Sequence, residues 1–241
     1  MITFHIISLF PESFSYLGES IIGRAQEAKK IAVSFSNPRD FTVDKHRVTD
    51  DRAYGGGPGM VMKAEPVLKA VDKAIGRKSP HRRPAGEAGK KNIIVVMFTP
   101  SGKMFNKETA RDFARAGKDV VLICGHYEGV DERVSEVLRE RGMEVKKISV
   151  GPYILSGGEI PAMVVVDAVA RQVPGVLGKT ESLEEARVAS PEMYTRPETL
   201  TYKKKKYPVP PVLLSGNHKK IEEWRAERRE DGAGRGESPG L

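Results

Sequence analysis

Glycine and proline recur directly behind apolar runs in this chain, and that spacing points to a ligand site built largely from backbone. Residues 92–98 (NIIVVMF) run into Thr99-Pro100-Ser101-Gly102. Residues 120–124 run into Gly125-His126-Tyr127-Glu128-Gly129. Ile148 and Val150 alternate around Ser149 and lead into Gly151-Pro152, with Gly157 and Gly158 ahead of a helical pattern that opens at Pro161 and closes on Pro174-Gly175. Glycine allows a backbone to approach a ligand closely or to take positive φ, and proline at the first helical position loses no hydrogen bond. Loops that leave the C-terminal ends of strands are where α/β proteins bind ligands. Those in this chain offer N–H and C=O groups with few charges, which suits a neutral, hydrogen-bonding ligand such as an adenosine and suits a triphosphate poorly.

Other chemistries lack their residues. There is no GxxxxGK[ST] phosphate loop, no GxGxxG opening the first helix and no nucleophile elbow. Tyr54-Gly55-Gly56-Gly57-Pro58 is rich in glycine but follows no strand. His5, His46, His81, His126 and His218 are scattered without metal-ligand spacing. Cys124 is the only cysteine, which excludes an internal disulfide and a cysteine metal cluster and points to the cytoplasm. The chain has 241 residues, 39% of them hydrophobic and 30% charged, with a net charge of +8 that favours a polyanionic partner. No apolar run approaches the ~20 residues of a membrane span, so no membrane role is expected. The opening MITFHIISLF reads as a buried strand rather than a signal peptide.

The elements that must position these loops follow from periodicity. Residues 2–10 read as a strand, Pro11 opens a short helix, 21–29 is helical and 31–35 is a strand that turns at Asn37-Pro38. Residues 40–60 are polar and then glycine-rich, a long loop suited to meeting phosphates. Val67, Leu68, Val71 and Ile75 share one face of a helix over 62–75. Residues 76–91 are basic and breaker-rich, a flexible insertion. Asn106 is placed to cap a helix that stops at Gly117. Val130, Val134, Val137 and Leu138 mark another helix, ending at Gly142. Apolar strands alternating with amphipathic helices predict an α/β fold with a mostly parallel sheet covered on both faces. The expected organisation is an α/β domain over 1–178, an interdomain linker over 179–196, a small basic helical domain over 197–230 and a disordered tail over 231–241. The small domain carries four lysines at 203–206, a stiff stretch over 207–211 and a helix over 219–229 with Ile221 and Trp224.

Several segments together resemble the bacterial tRNA (guanine-N1)-methyltransferases of the SPOUT class. They are Ile7-Ser8-Leu9-Phe10-Pro11, Pro38-Arg39-Asp40-Phe41, Asp50-Asp51-Arg52 with Tyr54-Gly55-Gly56-Gly57-Pro58-Gly59-Met60, and Cys124-Gly125-His126-Tyr127-Glu128-Gly129-Val130-Asp131-Glu132-Arg133. Beyond these come Leu155-Ser156-Gly157-Gly158-Glu159, Pro174-Gly175-Val176-Leu177-Gly178, Tyr194-Thr195-Arg196-Pro197-Glu198, and Pro210-Pro211-Val212-Leu213-Leu214-Ser215-Gly216-Asn217-His218. They occur in family order from residue 7 to residue 218.

The resemblance implies more than the patterns show. It implies a deep trefoil knot, although knots are nearly absent among folds, and a homodimer. S-adenosyl-L-methionine would bind bent in the knot, with S-adenosyl-L-homocysteine as product, and the target guanine, 3′ to the anticodon of tRNA, would arrive from the partner's side. Cofactor binding falls to Thr99, Pro100, Gly125, Tyr127, Glu128, Val150, Gly151, Pro152, Tyr153, Ile154, Leu155, Gly157, Gly158 and Pro161. Many relatives carry aspartate where Pro152 stands, so a side-chain contact there would be lost and backbone contacts kept. Arg171 matches the arginine that steadies charge on the guanine. The family's general-base aspartate falls, ungapped, on Ala186, which takes no proton. Either the linker register shifts and Glu185 serves as base, or the chain is a noncatalytic or impaired RNA-binding relative. Arg39, His46, Arg52 and Arg196, with the four lysines, are the basic candidates for tRNA phosphates. Magnesium is compatible with the family's chemistry, and no metal-binding residue is assigned.

Overall fold

A wholly buried N-terminal strand lies inside the sheet, between its edge strand and its middle one. The computed structural model describes residues 1–76, 93–177 and 192–233, and the chain divides into two units, Met1–Leu177 and Gly178–Leu241. The first unit orders its elements as β1 (Ile2–Ile7), a 3-10 segment (Pro11–Gly18), α1 (Ser20–Glu27), β2 (Ile31–Ser36), a second 3-10 turn (Pro38–Phe41), β3 (Asp50–Asp51), β4 (Val61–Met62) and α2 (Ala64–Gly76). It continues with β5 (Ile93–Met104), α3 (Lys107–Ala116), β6 (Asp119–Ile123), α4 (Arg133–Glu140), β7 (Glu144–Ser149) and α5 (Glu159–Arg171). The main sheet has the order β2-β1-β6-β5-β7, and every pairing in it is parallel.

Parallel strands buried on both sides need apolar residues at successive positions, and β1 is buried throughout. Phe4, Ile6, Ile94, Val96 and Leu122 turn to one face, against Ile22 of α1, Phe113 of α3 and Val165, Val166 and Val169 of α5. Ile7, Val95, Val121 and Ile123 turn to the other, against Val67 and Val71 of α2 and Val134 and Leu138 of α4. The predicted α/β class with a mostly parallel, doubly covered sheet is therefore observed.

Local differences from the sequence expectations have local causes. β5 does not stop at Thr99. Phe98 and Lys103 both pair with Ile148, so the residues between them loop out and the strand resumes as far as Met104. Val130 lies outside α4, which begins at Arg133, because Val130 bridges to Met62 instead. The polar stretch over 40–60 is not wholly loop, since β3 pairs antiparallel with β4. α5 opens at Glu159, ahead of Pro161. Pro161 still falls in the first turn, where the N–H has no intrahelical partner.

The second unit holds β8 (Thr199–Tyr202), β9 (Lys205–Pro208), α6 (Pro211–Leu214) and α7 (His218–Ala233). β8 and β9 form an antiparallel hairpin, where the sequence suggested only a lysine run and an extended stretch. Lys203 and Lys204 make its turn at φ 48 and φ 64. Hairpin turns with two positive φ values ordinarily recruit asparagine or glycine, so the lysines hid the signal. Tyr194 and Trp224 pack with ring centroids 6.4 Å apart, Arg228 stacks 4.6 Å from the Trp224 centroid, and Arg228 pairs with Glu192 at 2.9 Å. α7 runs to Ala233, past the expected start of the tail at Asp231. The remainder of that tail, the 77–91 part of the insertion, Gly178 and the 179–191 part of the linker lie outside the described residues.

The expected cap on α3 is in place. Asn106 Oδ1 accepts from the Thr109 N–H at 2.9 Å, and Gly117 ends the helix in the left-handed region at φ 60. Replacing Asn106 by alanine removes the partner of an otherwise orphaned N–H. Chemical denaturation of Asn106→Ala should show a loss of about 1 kcal/mol in unfolding free energy.

Candidate functional site

The loop that interrupts β5 and the loops after β6 and β7 converge on a cavity of about 360 Å³, a size that suits a nucleoside-sized ligand. Thr99 and Pro100 enter it from the loop that interrupts β5. Gly125, Tyr127 and Glu128 come from the segment after β6, and Val150, Gly151, Tyr153, Ile154 and Leu155 from the segment after β7. Gly157, Gly158 and Pro161 close the side next to α5. Every residue expected at the cofactor is thus brought to one cavity except Pro152, which is exposed and outside the lining.

The cavity also contains charged residues that the sequence reading passed over. Glu132 and Lys147 line it and form an ion pair at 2.7 Å. The Lys147 hydrogen bond, aided by Ser135, holds the Glu132 carboxyl below its usual range. Strand alternation offered a signal. Lys147 and Ser149 lie two apart on β7 and so share a face, and both line the cavity. The charged residues of the lining are therefore two glutamates, Glu128 and Glu132, against one lysine, Lys147. The rest is backbone, apolar or neutral polar, a balance that favours a ligand with adenosine-like hydrogen bonding and a net positive charge.

A buried polar network holds the loops in place. Ser8, just past β1, donates to Glu159 Oε1 at 2.7 Å, and His126 Nε2 lies 2.8 Å from Glu159 Oε2. Ser8 Oγ also accepts from the Phe10 N–H at 2.9 Å, and the Phe10 ring meets the His126 ring edge-on with centroids 5.0 Å apart. Glu159 is the first residue of α5 and is buried, so its carboxyl ties the helix start to the ends of β1 and β6. Beside it the backbone crosses closely. Gly158 N–H donates to Gly125 C=O at 2.9 Å, and a Cβ on Gly158 would lie 2.5 Å from the Cys124 Cα. Cys124 is fully buried. Burial, and secondarily Glu159, pushes its thiol well above the usual range, which makes it a packing residue and not a nucleophile.

The other expected residues are spread out. Arg171 ends α5, about 15 Å along the helix from Pro161 at 1.5 Å per residue. Near it Tyr16 donates to Asp167. That bond raises the Tyr16 hydroxyl above its ordinary range, and the Arg171 charge opposes the shift. Arg39 is half-buried and donates to the Arg47 C=O at 3.3 Å, while His46 and Arg52 are exposed on the loop between Phe41 and β4. Arg196 is exposed in the second unit. Glu185 and Ala186 lie outside the described residues. Among the described residues no group of three or more histidine, cysteine, aspartate or glutamate side chains is assembled to hold a metal ion.

Glu159 should be the most sensitive polar position in this network. Glu159→Leu leaves Ser8 and His126 without their partner, and urea denaturation should register a loss of about 1–3 kcal/mol. Glu159→Gln, which keeps a hydrogen-bonding group at both ends, should lose less.

Comparison with known proteins agrees with this geometry. The family model described as tRNA (Guanine-1)-methyltransferase TrmD matches residues 2–235. The tRNA (guanine-N(1)-)-methyltransferase of Carboxydothermus hydrogenoformans is 45% identical over 228 residues, covering 92% of this chain and 81% of that protein. Its namesake in Pseudoalteromonas atlantica is 44% identical over 227 residues, covering 92% of this chain and 78% of that protein. The one in Clostridioides difficile is 42% identical over 229 residues, covering 93% and 90%. With a parallel sheet that delivers its loops to one nucleoside-sized cavity, and with a family match along almost its whole length, the chain belongs to the tRNA (guanine-N1)-methyltransferase family.

Proposed function

We propose that this protein methylates N1 of the guanine 3′ to the anticodon in tRNA, with S-adenosyl-L-methionine as donor. The observation that carries the reading is the convergence of three backbone-rich loops on one cavity in a chain of this family. Backbone N–H and C=O groups of the 150–155 loop suit the edge of an adenine. Glu128 and Glu132, opposed only by Lys147 among the charged lining residues, suit a cofactor whose sulfonium and ammonium outweigh its carboxylate. When bound, that cofactor supplies an electrophilic methyl group on sulfur.

The protein's own work is positioning and proton removal. Guanine N1 carries a proton at neutral pH, so a base must take it as the bond to carbon forms. A cation then steadies the charge that shifts to O6. Arg171 is proposed for the second role and Glu185 for the first. Holding N1 in line with the sulfur–methyl bond contributes several kcal/mol more. Arg171 stands about 15 Å down α5 from Pro161, so one copy does not bring it to its own cavity. That separation supports a homodimer in which a second copy brings the substrate-side residues.

The finer features of the family belong to the same proposal. α4 packs on one face of the sheet and α5 on the other. The chain passes between them at Gly157 and Gly158, hard against Cys124 and Gly125. That passage supports a trefoil knot in which the last part of the 1–178 domain threads behind the β6 loop. The 197–230 domain, with its lysine hairpin and exposed Tyr202 and Tyr207, is proposed to hold tRNA together with Arg39, His46, Arg52 and Arg196, joined by the 179–196 linker. Among the described residues no helix is long and apolar enough to cross a membrane. The cytoplasm, where tRNA is modified, is the proposed location. Magnesium in the reaction is tested by chelation.

The deciding experiment follows labelled methyl transfer. Wild-type protein should label tRNA with guanine 3′ to the anticodon and leave the adenine-substituted tRNA unlabelled. Equal labelling of both, or of neither, would overturn the reading. Glu185→Gln should slow single-turnover transfer by a factor of ~100 or more, the scale for losing a general base, with cofactor affinity kept. An unchanged rate would remove Glu185 from the base role.

A further inference from the structure

The glycine-rich stretch ahead of β4 contributes nothing to the lining of the cavity, yet its end is bonded to the cofactor loop at successive positions. Glu128 N–H donates to Met60 C=O at 2.9 Å. Met62 N–H donates to Gly129 C=O at 2.9 Å, and Met62 C=O accepts from Asp131 N–H at 3.0 Å. Met62 and Val130 form a parallel bridge, and the His126 N–H points at Met62 Sδ from 3.3 Å. Residues 60–62 and 126–131 therefore behave as one short ladder that joins the polar loop to a segment of the cavity lining.

Just ahead of that ladder Gly59 occupies a special position. Gly55, Gly56, Gly57 and Gly59 all have positive φ, but a Cβ on the first three would meet open space. A Cβ on Gly59 would collide with Glu128 Oε1 and lie 2.6 Å from its Cγ and 2.9 Å from its Cδ. The Glu128 side chain is thus laid across the space that any larger residue at 59 would fill, and Glu128 is itself a residue of the cavity lining. We propose that Gly59 is a positioning residue for the reaction. By lacking a side chain it leaves the Glu128 side chain the place it occupies beside residue 59, and it couples the polar loop before β4 to cofactor affinity. This rests on the methyltransferase reading, in which Glu128 faces a positively charged donor.

Two penalties follow from Gly59→Ala, and they separate cleanly. Strain from φ +91 is the same whatever residue stands at 128. The collision exists only while Glu128 has its Cγ, Cδ and Oε1, and Glu128→Ala removes all of these. Affinity for S-adenosyl-L-methionine, measured calorimetrically without RNA, is compared for wild type, Gly59→Ala, Glu128→Ala and the double variant. The expected result is a loss of about tenfold or more from Gly59→Ala in the wild-type background and about twofold or less in the Glu128→Ala background, a coupling typical of residues in contact. Equal losses in both backgrounds, or no loss in either, overturn the proposal.

Should Gly59→Ala not fold, amide hydrogen exchange on the unaltered protein decides the matter. Adding cofactor should slow exchange at the Met62 and Glu128 amides together, and protection confined to residues 125–131 overturns the coupling. Failure of the unaltered protein to bind S-adenosyl-L-methionine is a different outcome, which overturns the functional reading itself and this inference with it.

Discussion

Everything at the site depends on one place where the backbone crosses itself. Gly157 pairs with His126, Gly158 bonds to the Gly125 carbonyl at 2.9 Å, and a Cβ at 158 would sit 2.5 Å from the Cys124 Cα. Backbone-to-backbone contact this close cannot be relieved by a rotamer change, so a side chain at 158 would have to push the two segments apart. The crossing carries the chain from the sheet face covered by α4 to the face covered by α5. It also holds the loops after β6 and β7 against each other beside the loop of β5. The cavity is what remains between loops whose own turns keep them from collapsing further.

The crossing is held by polar groups that satisfy one another. A buried polar group without a partner costs about 1–3 kcal/mol. Ser8, Glu159 and His126 avoid that cost only when β1, β6 and the start of α5 are in register. The network therefore specifies an arrangement more than it adds net stability. The Glu132–Lys147 pair is of another kind. Its side chains are 53% and 42% exposed, and exposed pairs are worth about 0–1 kcal/mol. Its consequence lies in the charge it presents to the cavity.

What the sequence could and could not reveal follows from the range of each interaction. Asn106 and Gly117 act on their own helix, two of the three Gly/Pro loops follow their own strand and the third interrupts β5, so all were legible locally. Thirteen of the fourteen residues expected at the cofactor line one cavity; Pro152 is the exception. Val130 fits the apolar period of α4 but is claimed by Met62, sixty-eight positions earlier, and no periodicity reports such a partner. Lys147 looks like an ordinary charge on a strand until Glu132, from the start of α4, is folded against it. The hairpin of β8 and β9 was hidden because lysines occupy the positive-φ positions where glycine or asparagine would have advertised a turn. The crossing at Gly158 involves segments more than thirty residues apart, and only the family resemblance hinted at it.

The arrangement also separates binding from chemistry. The cavity gathers its lining from residues 97–161 of one chain, so on the proposed reading the cofactor lies against residues of a single copy. Among the charged groups of that lining, neither carboxyl stands free of other duties. Glu132 is tied to Lys147, and Glu128 lies against Gly59. The groups proposed to act on the guanine, Arg171 and Glu185, belong to the end of α5 and the linker beyond it. On the dimeric reading they meet a cofactor held by the other copy. Interactions made with the bound cofactor in ground state and transition state alike govern affinity, whereas those made only as charge develops on the guanine govern rate. Placing the two sets on different copies would let the cofactor pocket form within one chain and would leave the proton-accepting group to the other.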